Sequence, residues 1–505
     1  MTGLYRKPVL SGPTNIPGQA LLCFIAGALT PFAFAPFDIL FLAILGPALL
    51  FYTWITASPR RCFLTGYAFG LGLFGVGVNW LHISINLFGG VNLFGAYVFT
   101  YILVAFLALY PAVTGLVAKL LFPALPGRLL LALPLLWILS EWARSWIFTG
   151  FPWLNLGYSQ ADSLLSAVAP ITGVYGVSLL TAGLAAALVY FMITNNKNRI
   201  VTACITLAVL IGCYFSRNID WSTTEGKISV ALAQAAIPQE LKWQPEQKQH
   251  TLDLYQVLTE PYRDANLIIW PETAIPMFYH QAEPFLQQLE NNYIGTGGSL
   301  LTGIPFRDSN TGRYYNSILM LGDTPGIYHK RHLVPFGEYL PLDRWIRPVL
   351  DALQIPMSNF SAGNAEKPLL LAGSHAIGVS ICYEDVFGEE VIDALPEAAV
   401  LVNISNDAWF GDSMAPHQHL QMARMRAIET GRYMLRATNT GISAIIDDKG
   451  NVIAQSPQFK PHTLAGTVQT FTGLTPYART GNSAIILFSG IMLLLLIVRQ
   501  RQAPD

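Results

Sequence analysis

The sequence predicts an α/β domain inserted between the transmembrane helices of an eight-span α-helical membrane domain. Of the 505 residues, 52% are hydrophobic and only 12% are charged, which is too apolar for an ordinary soluble protein. Residues 62–118 contain no Asp, Glu, Lys or Arg, whereas residues 217–480 carry most of the charged side chains. In that polar region, short β-branched runs alternate with amphipathic helical patterns. The chain is therefore predicted to have a membrane part and an α/β part.

The membrane part is predicted from apolar segments, because a helix needs about 20 mainly apolar residues to cross a bilayer. Seven candidates precede the polar region and one follows it: 18–36, 38–57, 63–83, 91–117, 128–143, 165–193, 199–215 and 483–498. We therefore expect a membrane domain over residues 1–216, a polar domain over 226–470 and an eighth span over 483–498. Glycines in the third span, Gly70, Gly72, Gly75 and Gly77, are expected to let helices approach closely.

Basic residues predict the orientation of these spans. They cluster before the first span, in alternate connections and after the last span: Arg6 and Lys7, Arg60 and Arg61, Lys119 and Arg128, Lys197 and Arg199, Arg499 and Arg501. Cytoplasmic loops carry an excess of Lys and Arg, so these positions predict that both termini are cytoplasmic. In a bacterial inner membrane, the polar domain would then lie in the periplasm.

The polar domain is predicted to be an α/β structure. Strands are expected at 228–233, 266–270, 299–304, 317–321, 376–381, 399–403, 433–438 and 442–447, and helices at 245–259, 281–292 and 416–430. Near-continuous apolar runs such as Val400-Leu401-Val402 indicate a sheet that is covered on both faces.

Three segments of this domain run from an apolar stretch into a reactive side chain. Residues 266–270 lead to Glu272, residues 326–329 lead to Lys330, and residues 376–381 lead to Cys382. A carboxylate can take the proton of a thiol, a thiolate can attack a carbonyl carbon, and an ammonium can stabilise the resulting oxyanion. The three residues together therefore predict a site for acyl transfer from an ester or amide.

Each residue alone has a structural interpretation as well. Cys382 could be a core residue, Glu272 could cap a turn, and Lys330 could belong to a solvated basic edge. Their joint occurrence favours the site. The other four cysteines fall in or beside apolar spans, so the polar region has no disulfide framework, and no Cys/His zinc pattern is present. A formal net charge of −1 without a Lys/Arg block argues against nucleic acid as a partner.

Several motifs of the polar region resemble those of the nitrilase superfamily, whose fold is an α-β-β-α sandwich. Its Glu-Lys-Cys signatures are matched, in order, by Trp270-Pro271-Glu272, by residues 328–338 and by Cys382-Tyr383-Glu384. With seven predicted spans before the domain and one after it, the chain is similar to the membrane-embedded branch of that superfamily, the apolipoprotein N-acyltransferases. Residues 237–243, 403–410 and 421–427 also match that branch.

The resemblance implies a phospholipid acyl donor, with phosphatidylethanolamine as the expected lipid. The implied acceptor is the α-amino group of the S-diacylglyceryl cysteine of an apolipoprotein, and no external cofactor or metal is expected. It also implies supporting roles for Glu338, Tyr383 and Glu384 beside the three catalytic residues. Trp243 and Trp409 are candidate substrate-binding residues, although Trp243 could equally be a packing aromatic. We expect a monomer.

Residues 340–360 interrupt the α/β pattern with apolar side chains at helical spacing, among them Trp345. This segment is either a core helix or an interfacial flap beside the site, with Trp345 in contact with lipid.

Two other functions compete with acyl transfer between lipids. A membrane-anchored amide or nitrile hydrolase would use the same three residues with water as acceptor. A transporter with an exported sensor domain should carry ionisable residues or repeats within its spans, and the predicted spans are almost free of charge. We therefore expect an acyltransferase, with the hydrolase as the alternative.

Overall fold

The computed structural model describes residues 16–123, 126–341, 343–344, 359–364 and 366–502. Its contacts define two compact units. The helical unit comprises the described parts of Met1–His82, Leu93–Ile219 and Thr480–Asp505, and the α/β unit comprises those of Ile83–Asn92 and Asp220–Arg479.

Apolar α-helices dominate the first part of the chain and recur at its end. They are α1 (Ile16–Leu29), α2 (Leu42–Trp54), α3 (Pro59–Gly77), α4 (Leu81–Leu87), α5 (Leu93–Leu107), α6 (Leu109–Leu121), α7 (Pro126–Arg144), α8 (Ala169–Ile193), α9 (Asn196–Ser216) and, after the α/β unit in sequence, α15 (Ser483–Gln502). Four short 3-10 helices connect them, at Thr30–Ala33, Ile147–Thr149, Leu156–Gln160 and Leu164–Val168.

Five helical segments within the described residues are long and apolar enough to cross a membrane: Ile16–Ala33, Leu93–Leu121, Leu164–Ile193, Asn196–Ser216 and Ser483–Gln502. A sixth is added if the bent pair α3 and α4 is counted as one span, and α2 is apolar but shorter. The structure therefore supports several membrane-spanning helices, and the predicted number of eight stays a prediction.

Glycines bring α1 and α3 into close contact, as predicted for the third span. A Cβ atom on Gly27 would lie 2.0 Å from the carbonyl oxygen of Phe69, and one on Gly72 would lie 2.1 Å from that of Phe24. No side chain fits at such distances, so glycine is required at both positions.

The α/β unit contains two six-stranded sheets. The strands are β1 (Thr223–Gln234), β2 (Leu267–Ile269), β3 (Ser299–Arg307), β4 (Tyr314–Gly322), β5 (Gly326–His329), β6 (Leu369–Ala372), β7 (His375–Ile381), β8 (Val400–Ser405), β9 (Met434–Thr438), β10 (Ala444–Ile446), β11 (Val452–Gln455) and β12 (His462–Thr472). The strand orders are β12-β1-β2-β3-β4-β5 and β11-β10-β9-β8-β7-β6. Strands β1 to β3 are parallel in the first sheet, and β7 to β9 are parallel in the second.

Helices cover the outer faces of both sheets. Those of the α/β unit are α10 (Pro245–Thr259), α11 (Tyr279–Asn291), α12 (Gly388–Ile392), α13 (Met414–Thr430) and α14 (Pro476–Thr480). Side chains alternate along β1: Val230 and Leu232 pack in a core between the two sheets, whereas Ala231 and Ala233 pack in a second core with α10 and α11. A third core joins the second sheet to α12 and α13. The layers are therefore α-β-β-α.

The predicted sheet covered on both faces is confirmed, and so are the eight strands expected in the polar domain, β1 to β4 and β7 to β10, within a few residues at each end. Strands β6, β11 and β12 were not predicted. Strand β12 pairs with β1 over its full length, from Thr223 opposite Thr472 to Gln234 opposite His462.

Candidate active site

Glu272 lies three residues after β2, in a turn that is fixed against β3. The backbone N–H of Ile275 donates to the carbonyl oxygen of Gly303, and Thr273 has a positive φ of 47°. A Cβ atom at Gly303 would lie 2.7 Å from the Cα atom of Glu272, so only glycine permits this approach. The ammonium of Lys242 donates to the backbone carbonyl of Glu272 at 3.0 Å. The Glu272 backbone is therefore held from two sides.

Lys330 follows β5 and is almost completely buried, with 1% of its side chain exposed. Its Nζ atom lies 2.7 Å from Oε2 of Glu338. The same Oε2 accepts from the backbone N–H of Val334 at 2.8 Å. The side-chain amide of Asn316, on β4, donates to Oε1 of Glu338 at 3.1 Å and to Oε1 of Glu272 at 2.7 Å. Asn316 thus joins the two carboxylates.

Cys382 begins a short 3-10 helix, Cys382–Val386, directly after β7. Its φ is 51°, a left-handed conformation that is uncommon for a residue with a side chain. The side-chain amide of Asn403, on β8, donates to the carbonyl oxygen of Cys382 at 3.1 Å. This contact holds the strained turn at the end of the strand.

Glu384 connects the Cys382 turn to the loop after β5. Its Oε2 accepts from the backbone N–H of Ile381 at 2.7 Å, while Oε1 accepts from the Tyr328 hydroxyl at 2.8 Å and from the backbone N–H of Arg331 at 2.6 Å. Burial raises the pKa of Glu384, and Lys330 lowers it in part. Tyr383 is buried between the rings of His332 and Phe387.

Electrostatic interactions link the three predicted reactive residues. Burial raises the pKa of the Cys382 thiol well above its usual range, Glu272 raises it further, and Lys330 opposes both. Burial also raises the pKa of Glu272, against the attraction of Lys330. For Lys330, burial alone would lower the pKa, but Glu338 and Glu272 outweigh it and raise the pKa above its ordinary value. A thiol with a raised pKa needs a base to become a thiolate.

The arrangement provides a carboxylate, an ammonium and a thiol whose charges interact with one another. Glu338 forms an ion pair with Lys330 at 2.7 Å, and Glu272 interacts electrostatically with both Lys330 and Cys382, so the group contains a carboxylate that can accept a thiol proton. Such a site can attack an acyl carbon and stabilise the oxyanion that results.

Comparisons with known proteins cover both units. The family described as "Carbon-nitrogen hydrolase" matches residues 229–477, and the one described as "Apolipoprotein N-acyltransferase N-terminal domain" matches residues 26–187. A protein of Methylococcus capsulatus named "Apolipoprotein N-acyltransferase" is 47% identical over 96% of this chain and 97% of its own length. This chain belongs to the apolipoprotein N-acyltransferase family.

Further relatives carry the same name. A protein of Nitrosomonas europaea is 44% identical over 94% of this chain and 96% of its own length, and one of Vibrio cholerae is 40% identical over 96% and 98%. A solved structure from Saccharomyces cerevisiae, described as a member of branch 10 of the nitrilase superfamily, matches at 17% identity and a TM-score of 0.37, over 55% of this chain and 98% of that chain.

Of the three tryptophans that were predicted to bind substrate in this N-acyltransferase family member, the structure describes Trp243 and Trp409. Trp243 is 47% exposed and directly follows Lys242, which contacts Glu272. Trp409 is 37% exposed, and its ring packs edge-on against Phe88 at 5.0 Å. Both retain enough exposed surface to contact a ligand. Trp345 and most of the segment 340–360 that was predicted to form the flap lie outside the described residues.

The contacts that Asn316, Lys242 and Asn403 make at the site of this N-acyltransferase family member were not predicted from the sequence. Each is a buried polar side chain: Asn316 and Asn403 lie within strands that are otherwise largely apolar, and Lys242 and Asn403 lie in the matching segments 237–243 and 403–410 without a predicted role of their own. A polar residue in such a strand is the signal that could have identified the first two, because a buried polar group requires a partner.

Proposed function

We propose that this protein transfers a fatty acyl chain from a phospholipid, through a thioester on Cys382, to the α-amino group of the S-diacylglyceryl cysteine of apolipoproteins. The observation that carries the proposal is the group formed by buried Glu272, buried Lys330 and half-buried Cys382, whose charges interact, in a chain with several helices apolar enough to span a membrane. Both proposed substrates are lipids confined to a bilayer, and this explains why an acyl-transfer site belongs to a membrane protein.

In the first half-reaction, Glu272 takes the proton of the Cys382 thiol, and the thiolate attacks an ester carbonyl carbon of the phospholipid. Lys330 and the backbone N–H of Tyr383 stabilise the oxyanion. The oxyanion then collapses, the C–O bond to the lipid breaks, and Glu272 returns the proton to the leaving lysophospholipid. The acyl group remains on sulfur.

In the second half-reaction, the amine of the apolipoprotein attacks the thioester carbon and gives a proton to Glu272. The C–S bond breaks, the amide is released, and Cys382 regains its proton. Water has to be kept from the thioester, because hydrolysis would waste the acyl group.

The surrounding residues have supporting roles in this proposal. Glu338 positions Lys330 through their ion pair of 2.7 Å. Glu384 fixes the Cys382 turn through its bond to the backbone of Ile381, and Tyr383 supplies its backbone N–H. The candidate substrate-binding residues are Trp243, Trp409 and Trp345.

For the whole chain, we propose a monomer in the bacterial inner membrane. Residues 1–216 would contain seven spans, residues 226–470 would form the catalytic domain in the periplasm, and residues 483–498 would form the eighth span. Both termini would then be cytoplasmic. Phosphatidylethanolamine is the proposed acyl donor, and neither cofactor nor metal takes part.

The test is an acyl-transfer assay with purified protein in detergent. Phospholipid with a labelled acyl chain is added first, and a synthetic diacylglyceryl-cysteine peptide with a free amino terminus is added second. We expect a hydroxylamine-sensitive label on the protein that moves to the peptide as an amide. Release of the label only as free fatty acid, at the same rate with and without peptide, would identify a hydrolase instead.

A further inference from the structure

Ser405 lies beside Cys382 at the ends of neighbouring parallel strands. The register pairs Ile381 of β7 with Ile404 of β8, so Cys382 and Ser405 are the next residues on the two strands. The Ser405 side chain is completely buried. Its hydroxyl donates to Oδ1 of Asp407 at 3.1 Å, and it is close enough to the Cys382 thiol to lower the pKa of that thiol. The carboxylate and the sulfur are therefore alternative acceptors for this hydroxyl.

Asp407 is held in place by a buried charged cluster behind Ser405. Oδ2 of Asp407 accepts from the guanidinium of Arg436 at 3.0 Å, and Oδ1 lies 3.1 Å from Nδ1 of His419. Arg436 and His419 also contact Asp385, at 3.2 and 2.8 Å. Both oxygens of Asp407 therefore keep a partner, Arg436 or His419, when Ser405 donates to another acceptor. The buried carboxylate does not then pay the free-energy penalty of an unsatisfied charged group.

A serine hydroxyl has a single hydrogen, so it can donate to only one of its two acceptors at a time. While Cys382 is a thiol, the carboxylate of Asp407 is the stronger acceptor. Once Cys382 becomes a thiolate, the negative sulfur competes for the same hydrogen. We propose that Ser405 is a further catalytic residue, whose hydroxyl turns from Asp407 to the Cys382 sulfur as the thiolate forms. This inference rests on the proposed role of Cys382 as nucleophile.

The proton balance needs no additional group. The thiol proton moves to Glu272, and Ser405 keeps its own hydrogen and only reorients. The charged groups that act on Cys382 are Glu272 and Asp407, which raise its pKa together with burial, and Lys330, which lowers it. Arg436 interacts with Cys382 as well. The hydrogen bond from Ser405 lowers the pKa of Cys382, so its removal should leave less thiolate at a given pH.

The experiment measures the alkylation rate of Cys382 by iodoacetamide on the full-length protein in detergent, between about pH 6 and pH 9, by mass spectrometry of the Cys382 peptide. We expect Ser405→Ala to lower this rate about tenfold to a hundredfold and to displace the pH profile to higher pH, because a hydrogen bond to a charged group is lost. Ser405→Thr retains a hydroxyl and should keep both rate and profile close to those of the wild type.

Ser443→Ala is the matched control. Ser443 is equally buried in the same unit, and its hydroxyl donates to Gln234 at 2.8 Å. It should change the melting temperature without moving the alkylation profile. An unchanged profile in a folded Ser405→Ala protein, or the same shift in Ser443→Ala, would overturn the proposal.

Asp407→Asn should change the alkylation rate of Cys382 in the direction opposite to Ser405→Ala, and it tests the proposal independently of the Ser405 variants. It removes a negative charge that raises the pKa of Cys382 and weakens the competing acceptor of the Ser405 hydroxyl. We expect faster alkylation at each pH, and slower alkylation would contradict the proposal. Because alkylation needs no lipid, these results separate a failure of this inference from a failure of the acyl-transfer function.

Discussion

Asn316 donates a hydrogen bond from its side-chain amide to the carboxylate of Glu272, with the two atoms 2.7 Å apart. The same nitrogen lies 3.1 Å from Glu338, whose other oxygen contacts Lys330. One amide therefore joins two carboxyl groups, and the ion pair with Lys330 distinguishes Glu338 from Glu272. Glu338 is bound to the ammonium, and Glu272 is the residue that we propose as the base.

Removing this amide should slow the first half-reaction. We expect Asn316→Ala to reduce the rate of thioester formation about tenfold to a hundredfold, the range for a lost hydrogen bond to a charged group. Asn316→Asp should be more damaging, because a third carboxylate raises the pKa of Glu272 by repulsion. Thioester formation from labelled phospholipid measures both. Asn310→Ala, in an exposed turn, is the control, and equal rates in all three variants would contradict the role of Asn316.

The pH dependence of thioester formation should report on Glu272. Only the carboxylate can accept the thiol proton, so the rate should fall as the pH drops through the pKa of this residue. Because burial raises that pKa, the fall should occur above the usual value of about 4.3. Glu272→Gln should abolish activity across the range. A rate that stays constant down to the ordinary pKa of glutamate would argue against Glu272 as base.

Cys382→Ala should abolish transfer and leave the protein folded. No other thiol can replace that of Cys382, because the other described cysteines lie in helices of the other unit. Cys382→Ser should be nearly inactive as well, since an alkoxide is much harder to form than a thiolate. Both variants are incubated with labelled phospholipid and examined for hydroxylamine-sensitive label. Label retained in the alanine variant would refute the proposed nucleophile.

Lys330→Met should fail before thioester accumulates, because the oxyanion loses its cation and Glu338 loses its ion-pair partner. Loss of one oxyanion donor costs about 100- to 1,000-fold in rate. Lys330→Arg keeps the charge but not the compact ammonium, and it should recover only a small part of the rate. Full activity in Lys330→Arg would mean that charge alone is required.

The sequence predicts those parts of the site that are local in the chain. Glu272, Lys330 and Cys382 each follow an apolar strand, so strand periodicity places each of them at a strand end, and their joint occurrence indicates a site. The partners of these residues are not local. Asn316 lies 44 residues from Glu272 and 22 from Glu338 in the sequence. Hydrophobic periodicity does not predict a contact between side chains that are so far apart in the chain.

The same limit applies to the fold. Strand β12 owes its position to pairing with β1, more than 200 residues earlier, and its own burial pattern alternates irregularly. In the helical unit, hydropathy detects apolar runs but not where a helix stops. The predicted span 91–117 corresponds to two helices, α5 and α6, that are separated at Ala108. A count of apolar runs is therefore not a count of helices.

The proposed orientation predicts which parts of the chain are accessible from outside the cell membrane. Single reporter cysteines are placed at Lys197, at the start of α9, and at Gln249, on α10, both of which are exposed. The background carries Cys204→Ser and Cys382→Ala, because Cys204 is exposed and Cys382 is partly exposed and expected to react with thiol reagents. In intact spheroplasts, an impermeant thiol reagent should label Gln249→Cys but not Lys197→Cys, since the basic connections are expected to be cytoplasmic. Permeabilised cells provide the control, in which both should react. Labelling of Lys197→Cys alone in intact spheroplasts would place the α/β unit in the cytoplasm, and the proposed acyl transfer to exported lipoproteins could not then take place.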